Sequence, residues 1–305
     1  MYWVVFGLLY LLSLLPLWLL YGASNVVSFL LFNVFGYRRK VVEGNLAHAF
    51  PEKTARERRQ IAQAFYRNFI DNWIETLKLL SISKKQLSKR VTANVQVFQE
   101  LYQTGKAVQV NLGHFFNWEM MSMHLGLCQP YPVVAVYLPQ SSGIFNRLLK
   151  HVRSRWGNAL VASTQMAKEI MPWRNKQYLL ILAADQSPAT PDGGYWLPFM
   201  NRPTPFARGA EKFTRMLNLP VVMMTTTKPK RGYYHFDFHL VATTPNTLPA
   251  GELIRRYVAH LEQNIRLQPA IYLWSHNRWK HTWQPGFQEL WVAQQALPAV
   301  QPSIP

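Results

Sequence analysis

One cysteine, Cys128, stands among 305 residues, so no disulfide can close within the chain and a thiolate metal cluster has no ligand set. The nine histidines include no pair at zinc-ligand spacing with a suitable carboxylate. A glycine-rich phosphate loop, a Gly-x-Ser-x-Gly elbow and an internal repeat are all missing, which counts against nucleotide and serine-hydrolase chemistry. Acidic residues are scarce: 15 Asp plus Glu against 33 Lys plus Arg leave a formal net charge of +18. Such an excess draws polyanions, whether nucleic acid, an anionic membrane face, a phosphorylated lipid or an acidic carrier protein. From Met1 to Tyr37 there is no Lys, Arg, Asp or Glu at all.

That uncharged stretch predicts a membrane anchor over residues 1–37. Residues 1–21 are apolar almost throughout, about the length that crosses a ~30 Å hydrocarbon core. Trp3, Trp18 and Tyr21 sit near its two ends, where amphipathic aromatics favour the interface. A basic leader and a small-residue cleavage site are both missing, against a cleaved signal peptide. Pro16 predicts a kink, and residues 22–25 an interruption before a second apolar piece over 26–35. Arg38, Arg39 and Lys40 follow, and a basic cluster beside a span predicts a cytoplasmic chain beyond it. A helical hairpin buried in the protein, or a segment lying in the interface, accounts for the same composition.

Thr54-Ala55-Arg56-Glu57 has the form of a capping box, predicting a helix to about residue 80. Ile61, Phe65, Phe69, Trp73, Leu77 and Leu80 mark its apolar stripe, with Arg56, Arg58, Arg59, Arg67 and Lys78 mostly off it. Such a helix suits a lipid surface, although packing on a core explains the stripe as well. Residues 81–94 read as a linking stretch. Beyond them, strands over 107–112, 131–138, 178–184, 221–227 and 234–242 alternate with helices over 118–127, 144–156, 164–171, 207–217 and 251–267. The alternation predicts one α/β domain with a mixed sheet over residues 38–283. Residues 284–305, rich in Gln and Pro, are expected to add little to its core.

The densest chemistry follows the first of those strands, in Leu112-Gly113-His114-Phe115-Phe116-Asn117-Trp118-Glu119. Gly113 marks the turn. A helix starting near His114 puts Glu119 on a roughly adjacent face, where its carboxylate can bond one imidazole nitrogen and raise the basicity of the other. That pair can deprotonate a hydroxyl without a Ser or Cys nucleophile. A partly buried histidine satisfied by a helix carboxylate is the plainer account, weighed against a place at a strand end, where α/β proteins gather their chemistry. Arg147, Lys150, His151, Arg153 and Arg155 crowd one helical stretch whose guanidinium groups suit phosphate or carboxylate, unless it is only a solvated face. Asp185-Gln186 ends another strand, in a site or as a loop cap. Residues 198–209, from Pro198 to Gly209 and including Arg208, read as a Pro-broken apolar loop that either lines an acyl groove or packs. Trp274-Ser275-His276-Asn277-Arg278-Trp279-Lys280 mixes cations with indoles, as headgroup contacts or as cation–π packing.

The anchor, the Gly-His-Phe-x-Asn-Trp-Glu block, Asp185-Gln186 and the closing Leu-Trp-x-His-x-Arg-Trp-Lys together resemble the late lipid A acyltransferases, the lauroyl and myristoyl transferase family. The likeness runs from about residue 8 to 280. It implies an α/β acyltransferase domain at the cytoplasmic face of the cell inner membrane, moving a fatty acyl group from acyl carrier protein to a hydroxyl of a phosphorylated lipid A precursor. His114 then matches the catalytic base and Glu119 its carboxylate partner. Arg153 or Arg155 falls where an arginine meets substrate phosphate, and Asp185 matches the acid at that strand end. With Asn117, Arg147 and Arg208 these form the candidate substrate-binding set. No metal, cofactor or nucleic acid is expected. Phe116 stands where the family usually has glycine, which bears on acyl length and acceptor identity. Two other readings remain at this point: transfer to an amino-acid lipid or another glycolipid, and a membrane-anchored binder of polyanions without catalysis.

Overall fold

The computed structural model describes residues 1–298. Five helices lead the chain: α1 (Tyr2–Leu14), α2 (Leu17–Asn33), α3 (Arg39–Ala49), α4 (Ala55–Lys78) and the short α5 (Lys84–Ser88). Strand β1 (Val91–Asn94) and helix α6 (Gln96–Tyr102) precede β2 (Val108–Leu112), α7 (Trp118–Cys128), β3 (Val133–Tyr137) and α8 (Gly143–Ser154). Then come β4 (Ala159–Ala162), α9 (Met166–Glu169) and β5 (Leu179–Ala183). The chain continues through β6 (Gly194–Phe199), β7 (Arg202–Ala207), α10 (Gly209–Leu217), β8 (Val221–Lys230), β9 (Tyr233–Ala242) and α11 (Glu252–Leu267).

Seven strands form one mixed sheet in the order β1-β9-β8-β2-β5-β3-β4, every neighbouring pair parallel except β8 with β9. Central β2 is buried along its whole length, as a parallel strand covered on both faces must be. Val108, Val110 and Leu112 face one layer with Met120, Met121 and Met123 of α7 and Phe98 of α6. On the opposite face, Met223 of β8 packs with Ile254, Val258 and Leu261 of α11. The fold class is therefore the expected mixed-sheet α/β. Helix α4 starts on the expected capping box, with Thr54 and Glu57 each bonding the other's backbone. Its apolar face is packed rather than free: Phe65 and Tyr66 lie in the second core, among α3, α11 and β6–β7.

Some elements differ from expectation, each for a physical reason. The stretch 81–94 is no plain linker; it holds α5 and the edge strand β1, too short to show a period. The Pro-broken loop is a two-stranded antiparallel hairpin, β6–β7, with Pro198 opposite Pro203. Both of its strands are edges, where a missing N–H is tolerated. Residues 284–298 do pack: Phe287 stacks on Trp196, and the Val292 N–H donates to the Trp196 carbonyl at 3.0 Å. Residues 299–305 of the expected tail lie outside those described.

The N-terminal pair differs most. The apolar run breaks at Leu15-Pro16, and α1 and α2 meet at 110°. Pro16 lacks the N–H that would continue α1, and it caps α2 instead. The expected interruption over residues 22–25 lies inside α2. There Ser24 donates to Asp71 of α4 at 2.6 Å, so its polarity marks a packed face and not a break. Among the described residues, no single helix is long and apolar enough to cross a membrane; only the bent pair together has the length and composition.

Candidate active site

Parallel register brings the central pair together. Strands β2 and β5 run with Leu112 opposite Ala183, so His114 and Asp185, two residues past each strand end, emerge side by side at the carboxyl edge of the sheet. The His114 Nδ1–H donates to Asp185 Oδ1 at 2.5 Å, and the His114 backbone N–H donates to Oδ2 at 2.9 Å. Two bonds from one residue fix both the ring and the carboxylate. Gly113 permits this through close approach rather than an unusual φ: a Cβ there would sit 2.5 Å from the Leu261 side chain on α11. The loop is then stitched to the chain after α11. The Phe116 N–H donates to the Ile271 carbonyl at 2.9 Å, and the Leu273 N–H to the His114 carbonyl at 3.1 Å.

The electrostatics suit a base. Burial pulls the His114 pKa down, but the charge and hydrogen bond of Asp185, joined by the charge of Glu119, outweigh it and raise the pKa above the ordinary histidine value. Burial also works to raise Asp185. The charge and hydrogen bonds of His114, with a bond from the Tyr272 hydroxyl, overcome this and hold the carboxyl at about 2. With Nδ1 committed, Nε2 is the free ring nitrogen, 3.3 Å from the Gln186 side-chain amide. His114 is a quarter exposed, while Asp185 is sealed. His114 and Gln186 line a cavity of about 310 Å³ whose other walls include Phe69, Trp73, Val136, Phe145, Leu149 and Ile181. Its rim residues Trp73 and Leu138 are exposed. An apolar slot ending at a poised imidazole is what activation of a hydroxyl beside a hydrocarbon chain needs. A wider cleft of about 810 Å³, between β6 and α11, contains none of these groups.

Glu119 lines the same cavity but is bonded elsewhere. Its Oε1 accepts from Arg153 Nη2 at 3.0 Å, and Arg153 lies over the Trp118 ring at 4.4 Å. Helix α7 does not begin at His114, as the spacing argument assumed, but at Trp118. The carboxylate holding the imidazole is therefore Asp185, with Glu119 acting on His114 only through its charge. Glu119 Oε2 and Arg153 Nε are buried with no protein partner.

The remaining candidates scatter. Asn117 caps α7 in the left-handed conformation, φ 63°, which asparagine tolerates. Its side-chain amide turns away from the cavity to donate to Glu75 of α4, and its backbone N–H donates to Asn72 Oδ1 at 2.9 Å. Arg155 points back to the end of α4, donating to the carbonyls of Leu79 at 2.6 Å and Ile82 at 2.9 Å. Arg147 lies over Tyr2 and Trp3 of α1, at 4.1 and 5.1 Å. Arg208 donates to the Asp192 carbonyl beside Tyr195. None of these four lines the cavity. In the closing block, Arg278 is buried against Phe206 at 4.0 Å and donates to Ser187 and to the Pro205 carbonyl. Trp274 is buried too, so the core of that block supports the site from beneath.

Sequence reasoning missed the cluster behind Asn117. Glu75, fully buried, accepts from Tyr21, from Tyr234 at 2.8 Å and from Asn117. Beside it Asp71 accepts from Ser24, and twice from Arg231, at 2.8 and 2.6 Å. Lys228 donates to Asn68 at 2.7 Å and lies 3.7 Å from Asp71. The one available signal was Asp71 and Glu75, a turn apart near the stripe of a packed helix. Among the described residues, no three His, Cys, Asp or Glu side chains are placed to hold a metal. Residues 1–281 match the family model described as bacterial lipid A biosynthesis acyltransferase. No curated protein matches the chain.

Proposed function

The chain belongs to the bacterial lipid A biosynthesis acyltransferases, and from that premise we propose that it transfers a fatty acyl group from acyl carrier protein to a hydroxyl of a lipid A precursor, with His114 as general base. The observation that carries the reading is the 2.5 Å bond from His114 Nδ1 to sealed Asp185, which leaves Nε2 facing an apolar cavity. The acceptor hydroxyl oxygen attacks the thioester carbonyl carbon while Nε2 takes its proton. Asp185 holds the ring and stabilises the imidazolium that forms. The tetrahedral intermediate collapses with cleavage of the C–S bond, and His114 returns the proton to the departing thiolate. The products are an ester and a free thiol, with no acyl-enzyme between them. Glu119 and Arg153 form the polar wall of the cavity, and each has one buried atom without a protein partner. The apolar wall takes the acyl chain. Phe116, stacked on Phe65 at 5.8 Å and tilted against Phe69 at 6.1 Å, fills space that a glycine would leave open, and so limits chain length or acceptor bulk. The excess of positive charge suits an acidic carrier protein and a phosphorylated acceptor on the cytoplasmic face of the inner membrane.

The test is acyl transfer by membranes containing the protein, with acyl carrier protein thioesters and a tetra-acylated lipid A precursor, products read by mass spectrometry. One added acyl group that vanishes in His114→Ala and falls sharply in Asp185→Asn is expected. Transfer only to another membrane lipid would move the acceptor elsewhere. Near-normal turnover in His114→Ala would sink the assignment.

A further inference from the structure

Helices α1 and α2 carry an apolar surface that nothing in the protein covers. Trp3, Leu8 and Leu11 of α1 and Trp18, Val26 and Phe29 of α2 all point outward, with Trp3 68% and Trp18 75% exposed. Two rods meeting at 110° share one plane, so both outer faces can lie on one flat surface. Its edges are basic. Arg38 and Lys40 are exposed just beyond α2, and Arg147 sits over Tyr2 and Trp3.

The inner side of the corner is clamped. Breaking the helix at Pro16 orphans carbonyls at the end of α1, and α4 supplies their donors. Lys78 Nζ reaches the Ser13 and Leu15 carbonyls at 2.7 and 3.0 Å, and Ser81 adds a second bond to Ser13 at 2.7 Å. Below the corner, Tyr21 donates to Glu75 at 2.7 Å and Ser24 to Asp71 at 2.6 Å. Straightening the pair into a span would return the Ser13 and Leu15 carbonyls to helical donors, leave the Leu12 carbonyl without one opposite Pro16, and strand Lys78 without the two carbonyls it now holds. Unstraightened, α1 has 13 residues, about 20 Å of helix against a ~30 Å hydrocarbon core.

We infer that α1 and α2 form a bent wedge in one leaflet of an anionic phospholipid bilayer, entering and leaving on the side of the catalytic domain without crossing. The apolar outer faces sit among acyl chains, and the basic edges meet the headgroups. Arg147 ties the wedge to α8, whose Phe145, Leu149 and Arg153 line the cavity, so the slot opens beside lipid. Nothing in this placement depends on acyl transfer, and the sidedness is read without substrate.

The experiment uses the full chain with Cys128→Ala. A short hydrophilic tag carrying one cysteine precedes Met1 in one variant, and Glu100→Cys, on the exposed start of the catalytic domain, marks its face in the other. A membrane-impermeant maleimide is applied to intact spheroplasts and to inverted vesicles. The expected result is that both positions are labelled in inverted vesicles and that labelling is lost at both in spheroplasts. Labelling of the tag from the face opposite residue 100 would overturn the wedge and establish a span. A nitroxide on Leu11→Cys identifies the occupant. Relaxation by oxygen with shielding from a nickel chelate is expected for lipid. Shielding from both would mean that a second protein covers the face, and free access of nickel that water does; either overturns the lipid assignment.

Discussion

Two buried ionic assemblies lie on either side of Asn117, and they are built on opposite plans. Behind it, every carboxylate oxygen of Asp71 and Glu75 has a donor, from Tyr21, Ser24, Tyr234, Arg231 or Asn117 itself. In front of it, the cavity side keeps valences open: Glu119 Oε2 and Arg153 Nε have no protein partner, and His114 Nε2 meets only Gln186, at 3.3 Å. A buried charge with all its bonds made holds elements together; one left short of a bond is waiting for something. Completeness of bonding at the carboxylates, more than burial or charge, separates these two assemblies, while unpartnered atoms such as Asn117 Oδ1 and Arg278 Nε also occur away from the cavity.

Variants can break or sharpen that contrast. His114→Ala removes the proposed proton acceptor and is expected to lower turnover by about 10²–10⁴-fold while the protein stays on membranes, as acyl transfer and flotation would report. Asp185→Asn keeps the ring but loses the charge that raises its pKa, and a fall of about 10²-fold is expected. The sign of its pH effect is definite. A histidine base works only when neutral, so with His114 in the proposed role the wild-type rate falls as pH drops through a His114 pKa held above its ordinary value. Without Asp185 that pKa comes down, and the acid limb of the pH–rate profile moves to lower pH. An unmoved limb would show that another group titrates. Glu75→Ala strands the buried donors of Tyr21, Tyr234 and Asn117 and is expected to cost about 1–3 kcal/mol for each one left unpaired in a denaturant melt, with Glu75→Gln recovering part of it. If Glu75→Gln lowered turnover as much as Asp185→Asn, the closed assembly would belong to the chemistry and the contrast would fail. Val136→Phe narrows the slot and should favour shorter acyl donors, at about 0.8 kcal/mol per displaced methylene in competition between thioesters. Thr54→Ala, away from both assemblies, should cost about 1 kcal/mol of stability and leave turnover unchanged.

Both ends of the dyad were legible in the sequence, since His114 and Asp185 each follow a short apolar run and a strand end is where such residues gather. Their pairing was not. It depends on β2 and β5 being neighbours in a register set by Leu112 and Ala183, and β3 and β4 come between them in the chain. Local spacing favoured Glu119 because five residues can be counted, whereas a contact 71 residues away cannot. The same limit hid Arg153 on Glu119 and Glu75 under Asn117. Long periodic elements such as α4 and α11 were readable because their stripes repeat; β1 and β4, of four residues each, were too short to carry a period. Prolines that argued against strands over residues 198–209 are compatible with them only because the β6–β7 hairpin has two edges and no centre.

The strand order also sets a timetable. Edge strand β1 has one neighbour, β9, and the Thr92–His235 bond across them joins residues 143 apart. Arg231, which closes the cluster beneath α2, lies 160 residues beyond Asp71. At roughly 5–20 residues per second of synthesis, α1 and α2 leave the ribosome about 10–40 s before the strands that anchor them exist. During that interval α4 can already clamp their inner side, but their outer apolar faces have no protein to rest on. A bilayer within reach of the ribosome would cover those outer faces before the sheet forms, and the catalytic domain would close onto helices already lying in lipid.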